Sequence, residues 1–321
     1  MLHVAEQIED EVPPMAALAV AIVAVSTSAI LIELSSAPSI IKALYRVLFT
    51  TLLLAPLALT RYRDDLRNFS RRDFFVAIVT GVALAAHFVT WFESLEWTTV
   101  AASVTLVQSQ PLFVAFGAWA LLDERVTRRT VIGIGIALVG MVGMSFADVF
   151  SGAVVAGENP LYGNALAVIG AIAAAGYVLA GRSLRQRVSL VPYVTVVYSV
   201  CTAVLFFVAL TSEAEVALTA YGTREWLLFL GMAVGPGIFG HTVINWALKY
   251  VESSVVSVSL LGEPVGSTLL ALFVLDQVPG SATILGGIVV LAGIYVTSTA
   301  EDETVETNER KVKQETTENP D

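Results

Sequence analysis

Apolar residues fall along this chain in runs of about twenty, parted by short polar breaks that hold most of the basic side chains. The first run opens at Pro13-Pro14 and reaches Ile32, and the others cover residues 38–60, 74–95, 98–122, 130–147, 161–181, 190–211, 226–248, 253–275 and 281–299. About twenty apolar residues in a helix cross a hydrocarbon core about 30 Å thick. The pattern therefore predicts an all-α integral membrane protein with ten transmembrane helices. After Ala300 the run EDETVETNERKVKQETTENPD has no apolar face, so residues 301–321 are expected to form an acidic disordered tail. Residues 1–13 are polar, and acidic where the start of a cleavable signal would be basic, so the first span is expected to act as its own signal.

The basic residues orient the spans. Arg61, Arg63, Arg67, Arg71 and Arg72 follow the second span, Arg125, Arg128 and Arg129 the fourth, Arg182, Arg185 and Arg187 the sixth, and Lys249 the eighth. All lie on one side of the bilayer, and Arg224 alone falls in a loop on the other. Basic loops stay in the cytoplasm, so both termini are expected to be cytoplasmic in a multi-pass protein of the plasma membrane.

A repeat underlies the pattern. Gln110-Pro111 in the fourth span corresponds to Glu263-Pro264 in the ninth, an offset of 153 residues. Leu95 and Leu248, Asp123 and Asp276, Thr130 and Thr283, Gly133 and Gly286, Leu138 and Leu291, and Gly140 and Gly293 keep the same offset without a gap. A constant offset over such a stretch marks an internal repeat. It divides the chain into residues 14–148 and 161–300, joined by an outer loop over 149–160. Five spans per repeat is an odd number, so the second copy enters the membrane inverted, and inverted five-helix repeats around a midplane site are a transporter architecture.

Composition agrees: 56% of the residues are hydrophobic and 14% charged, with a mean hydropathy of +0.75. Nine of the ten net negative charges sit in the two polar ends, so the apolar body is close to neutral and nucleic acid is not an expected partner. Cys201 stands alone, so no internal disulfide forms, and helix packing is its expected role.

The segments ALYRVLF around Arg46, VAASVTLVQSQPLFVAFGAWALLDERVTRRTVIGIGIALVG, WALKYVESSVVSVSLLGEPV and GRSLRQR, at these spacings and in two copies, resemble the drug/metabolite transporter superfamily, and within it permeases with two EamA-type domains. The resemblance runs from Met15 to Thr299. It implies a ten-helix secondary carrier of small organic solutes, often an exporter of amino acids or related metabolites, with no cofactor. The chain departs from that pattern at Ser26-Thr27-Ser28, where members carry a Trp-Gly or aromatic pair, and at Asp276-Gln277, where members carry Gly-Glu.

Within the spans, polar residues are the candidates for transport. An acid at membrane depth is costly unless it faces a partner or a wet cavity, so Glu263 serves either proton coupling or the helix break at Pro264. Gln110, its repeat mate, offers both donors and acceptors to a ligand. Arg46 lies one turn from Lys42; it either binds a substrate carboxylate, pairs with Glu263, or locks helices, while Lys42 is expected to reach the outer headgroups. His87 with Trp91, and His241 with Asn245, are either a polar path or packing, and Tyr177 and Trp246 are further wall candidates. Gly235-Pro236-Gly237 is a hinge candidate in the eighth span, and Pro111 and Pro264 are expected helix breaks. No histidine has metal-ligand spacing, so no metal is expected.

Three functions remain open: a permease that exports small, amino-acid-like metabolites, with or without proton coupling; a passive facilitator or channel; and an integral-membrane lipid enzyme, for which the sequence offers no interfacial cluster of acids and histidines. No Walker-type motif points to ATP. The expected partners are a small-molecule substrate and the lipid bilayer, with the chain a monomer or a homodimer.

Overall fold

The computed structural model describes residues 13–122, 127–151, 159–185, 187–211, 220–247, 260 and 262–296. The polar N-terminus, most of the 149–160 loop, much of the ninth span before Gly262, Lys249, Arg125 and the acidic tail lie outside the described residues.

Every described element is a helix. The chain runs through α1 (Pro14–Ser26), α2 (Ser28–Leu34), α3 (Ser39–Arg61), α4 (Arg63–Arg67), α5 (Arg71–Trp97), α6 (Val100–Val107), α7 (Gln110–Leu122), α8 (Arg128–Ser151), α9 (Pro160–Arg185), α10 (Leu190–Thr211) and α11 (Thr223–Met232). A π-helical stretch (Ala233–Thr242) leads into α12 (Val243–Ala247), followed by α13 (Gly262–Val274) and α14 (Ser281–Val296). Six helical runs are long and apolar enough to cross a bilayer: Pro14–Leu34, Ser39–Arg61, Arg71–Trp97, Pro160–Gly181, Leu190–Thr211 and Thr223–Ala247. Shorter apolar helices at Val100–Val114, Val131–Gly140, Gly262–Val274 and Ser281–Val296 stand where four further spans are expected.

The surface is inside-out relative to a soluble protein. Phe273 is 78% exposed and Phe75 and Phe207 66% each, whereas Arg46, Thr80, Ser94 and Ser103 are buried. Soluble monomers rarely expose contiguous apolar surface of more than a few hundred Å². Lipid is the solvent that fits these outer faces.

Local chemistry sets the breaks. Ser26 and Thr27 turn their hydroxyls back onto Ile22 O and Ala24 O at 2.8 and 2.6 Å, and the first span divides there into α1 and α2. Ser70 caps α5 by accepting from the Asp73 amide at 3.0 Å, and Thr99 caps α6 by accepting from Ala102 at 3.2 Å. Most of the ninth span ahead of Pro264 lies outside the described residues. Pro111 is the second residue of α7, where its missing N–H costs little. The break in the fourth span lies just before, at Gln108-Ser109.

Pro56 sits inside α3, and Pro236 inside the π-helical stretch. The Pro236 ring crowds the carbonyl four residues back, and the helix answers by widening: the Val243 amide reaches Ile238 O and the Thr242 hydroxyl reaches Gly237 O, both five residues back. At the end of α13, Asp276 takes φ 54°, and the Gln277 amide returns to Ala271 O at 3.1 Å. This is a left-handed helix stop that favours glycine, which explains why glycine is the residue expected at that place.

Helices α8 and α14 meet backbone to backbone. A Cβ on Gly140 would fall 2.7 Å from Val290 N and 2.9 Å from Gly286 O; a Cβ on Gly293 would meet Ala137 N and lie 2.7 Å from Gly133 O. Rising along α8 from Gly133 to Gly140 descends along α14 from Gly293 to Gly286, so the two helices run antiparallel.

Candidate functional site

Arg46 is the centre of the interior. Its place on α3 turns it away from lipid, and only 1% of it is exposed. Nη1 donates to Ser28 Oγ at 2.6 Å, across the bundle at the start of α2. The guanidinium lies 4.8 Å from the Phe88 ring centroid, 5.6 Å from Phe92 and 5.8 Å from Trp91, all on α5. Nη2 has no hydrogen-bond partner among the described residues, and neither does the buried Nε1 of Trp91.

Beside Arg46 is a cavity that five segments enclose. Arg46 and Thr50 come from α3, Phe88 from α5, Tyr177 from α9, Tyr198 from α10, and Gly237 and His241 from the π-helical stretch. It holds about 310 Å³ of space between atoms, yet the centre of a water-sized sphere can move through only about 20 Å³ of it. That is room for about one water molecule. Thr50 Oγ1 bonds Arg46 O, one turn back in its own helix, at 2.8 Å and reaches Ala233 O, where the π-helical stretch begins, at 3.3 Å.

The other sequence candidates sort themselves around this cavity. His87 stacks on Trp91 at 5.7 Å and its Nδ1 lies 3.0 Å from Gly170 O on α9, so it ties α5 to α9. His241 lines the cavity and sets its ring edge-on to Phe88 at 6.3 Å. Asn245 donates to His241 O at 2.8 Å, within its own helix. Glu263 is buried at the start of α13, and its Oε2 accepts from Gln108 Nε2 at 2.5 Å. Gln108, two residues ahead of the expected Gln110, is therefore the residue that reaches the acid. Gln110 is half-buried at the first position of α7 and does not line the cavity. The repeat pairs Gln110 with Glu263 in sequence, but the break before Pro111 turns a different amide inward. Glu263 acts electrostatically on Arg46 without forming an ion pair within 4.0 Å. Ser267, one turn on, donates to Ser26 O at 3.1 Å, so α13 packs on the break in the first span.

Lys42 differs from its expectation. It is 3% exposed and its Nζ lies 2.6 Å from Glu96 Oε1, which Ser39 Oγ also approaches at 3.2 Å. Burying the ammonium against a carboxylate replaces its water shell, so the side chain has no reason to reach outward. Next to it, Glu225 at the start of α11 accepts from Ser35 Oγ, from the Ser36 amide at 3.2 Å and from Ser36 Oγ at 3.0 Å, while Arg224 donates to Leu34 O at 2.7 Å. These contacts strap the turn between α2 and α3 onto α11. Below them Tyr45 stacks on Phe229 at 4.9 Å and meets Trp226 edge-on at 4.9 Å, closing that end of the α3–α11 seam. Sequence reading missed Gln108, Glu96 and Glu225; the acids stand at span ends, where charged residues are ordinary. In a Glu225→Ala variant the Ser36 amide is expected to exchange hydrogen at least about tenfold faster, since a lost buried acceptor costs about 1–3 kcal/mol. Unchanged exchange would show that Glu225 does not hold the turn.

A helical body with lipid-facing outer surfaces and Arg46 buried beside a narrow cavity is that of a multi-pass membrane protein. The model of the EamA-like transporter family matches this chain twice, over residues 14–146 and 161–299. The chain belongs to that family. Among its relatives, an "uncharacterized transporter" of Archaeoglobus fulgidus is 23% identical over 226 residues, 70% of this chain and 74% of that protein. The "uncharacterized inner membrane transporter YhbE" of Escherichia coli (strain K12) is 24% identical over 273 residues, 82% of each chain. A solved crystal structure shares the fold at a TM-score of 0.62 and 21% identity, covering 91% of this chain and 98% of that one.

Proposed function

We propose that this protein is a secondary permease of small organic metabolites in the plasma membrane, an exporter of amino-acid-like solutes that works by alternating access. Ten spans form two inverted five-helix repeats, and both termini are cytoplasmic. The observation that carries the reading is Arg46: a guanidinium in the membrane interior whose Nη2 has no acceptor among the described residues, beside a cavity with room for about one water molecule. A purely structural arginine would be expected to have all its donors satisfied. The antiparallel contact of α8 and α14 supports inversion of the repeats, because an offset of 153 residues exchanges its two halves: Gly140 with Gly293, Gly133 with Gly286, and Ala137 with Val290. Equivalent helices related by an axis along the membrane normal would run parallel.

The π-helical stretch is the hinge in this reading, since it borders the cavity and its wide turns lack the regular ladder that stiffens α3 and α5. The closed cavity favours a carrier over a standing pore. The test is a metabolite-wide comparison of uptake and export in cells with and without the protein, followed by counterflow of the hits in proteoliposomes. Saturable counterflow is the expected result, and flux without saturation or exchange would instead mark a passive facilitator.

Proton coupling, where present, runs through Glu263, the buried acid that Gln108 holds. A Glu263→Gln variant is expected to keep counterflow and lose accumulation driven by a pH gradient. Full gradient-driven accumulation by that variant would remove coupling from this residue.

A further inference from the structure

The charge of the cavity wall selects among the solutes that the carrier reading allows. Among the described residues that line the cavity, Arg46 is the one permanently charged group, and neither Asp nor Glu is present. Its remaining polar groups are Thr50, Tyr177, Tyr198 and His241. Glu263, the acid that acts on Arg46 electrostatically, is not part of the wall and binds Gln108 instead. Two buried N–H donors in this region, Arg46 Nη2 and Trp91 Nε1, lack acceptors among the described residues. Among the described residues of the wall the one full charge is positive, and these two donors are unfilled.

Resting on the transporter reading, we propose that the solute is a small organic monoanion, a carboxylate with an apolar body and no required amino group, whose oxygen takes Arg46 Nη2. Ser28 is a positioning residue. It holds Nη1 at 2.6 Å and so restricts how the guanidinium can turn. The rings of Phe88 and Phe92 against the guanidinium exclude water and lower the local dielectric, which strengthens attraction for an anion and repels a cation. An ammonium group would meet Arg46 with no carboxylate on the wall to receive it.

Three probes share one hydrocarbon body and differ only in charge: 4-methylpentanoate, leucine and 3-methylbutylamine. Their binding to the purified full-length protein in detergent, read by titration calorimetry, tests the proposal. 4-Methylpentanoate is expected to bind at least tenfold tighter than 3-methylbutylamine and no more weakly than leucine. Ser28→Ala is expected to weaken 4-methylpentanoate about tenfold at an unchanged melting temperature, with Ser28→Thr restoring it. Equal binding of the three, binding of none, a preference for the amine, or a tenfold preference for leucine over the acid would each overturn the proposal. The two readings fail separately: saturable counterflow of a solute that is not an anion sinks the charge selection and leaves the carrier, whereas absence of counterflow for every solute sinks the carrier.

Discussion

Leucine at Gly140 or Gly293 is expected to abolish the folded protein, while leucine at Gly135 or Gly143 on the same helix as Gly140 is tolerated. The two outcomes differ because of what each Cβ meets. At Gly140 it would fall 2.7 Å from the backbone nitrogen of Val290, and at Gly293 it would meet the backbone of Ala137, whereas at Gly135 and Gly143 nothing lies within 4 Å. Backbone cannot rotate away as a side chain can, so α8 and α14 must separate. In a bilayer no hydrophobic effect drives helices together, and close packing through small residues supplies much of the association. Even alanine at Gly140 or Gly293 is expected to cost about 1–3 kcal/mol through overpacking, outweighing the gain of about 1 kcal/mol from replacing glycine in a helix. Unfolding in mixed micelles measures both, and the alanine costs at Gly140 and Gly293 should be similar because the contact maps onto itself. Equal stability of all four variants would show that the α8–α14 contact does not hold the bundle.

Removing Arg46 is expected to separate stability from transport. The guanidinium is buried, and among the described residues Nη2 has no acceptor and no acid forms an ion pair with it within 4.0 Å. A buried charge of this kind contributes little to stability, and an apolar side chain of similar length can match or exceed it. Arg46→Met should therefore keep or raise the melting temperature. Transport should fall by on the order of a hundredfold, because losing one partner of a buried charge pair with the solute costs about 2–5 kcal/mol. Arg46→Lys should not rescue it: a point-like ammonium cannot bond Ser28 and also present a second, planar donor. Counterflow rates beside melting curves decide the matter. An unfolded Arg46→Met protein would make the arginine a structural lock, and an active one would move the site elsewhere.

Some of this was legible before any coordinates. The apolar runs between polar breaks place nearly every helix, since lipid requires backbone groups to be satisfied within each span. Arg46, His241 and Tyr177 stood out as polar groups within those runs, and the structure sets all three around one cavity. Gln108 did not stand out. A polar residue just ahead of Gln110-Pro111 looks like spacer until the break at Gln108-Ser109 turns it toward Glu263. Lys42 misled for a related reason: its partner Glu96 lies 54 residues away on another helix, and no local pattern announces the pair.

Taken alone, the sequence determined that the chain lives in a membrane, how its segments divide, that its two halves repeat, and which few charges lie deep within the apolar runs. Those features follow from local composition and from period, which each stretch carries within itself. The tertiary structure decided which amide holds the acid, which hydroxyl steers the arginine, how tightly the cavity closes and which glycines let two helices touch. Such choices depend on the angular position of side chains around helices remote in sequence, and a single shifted break changes which of them face one another.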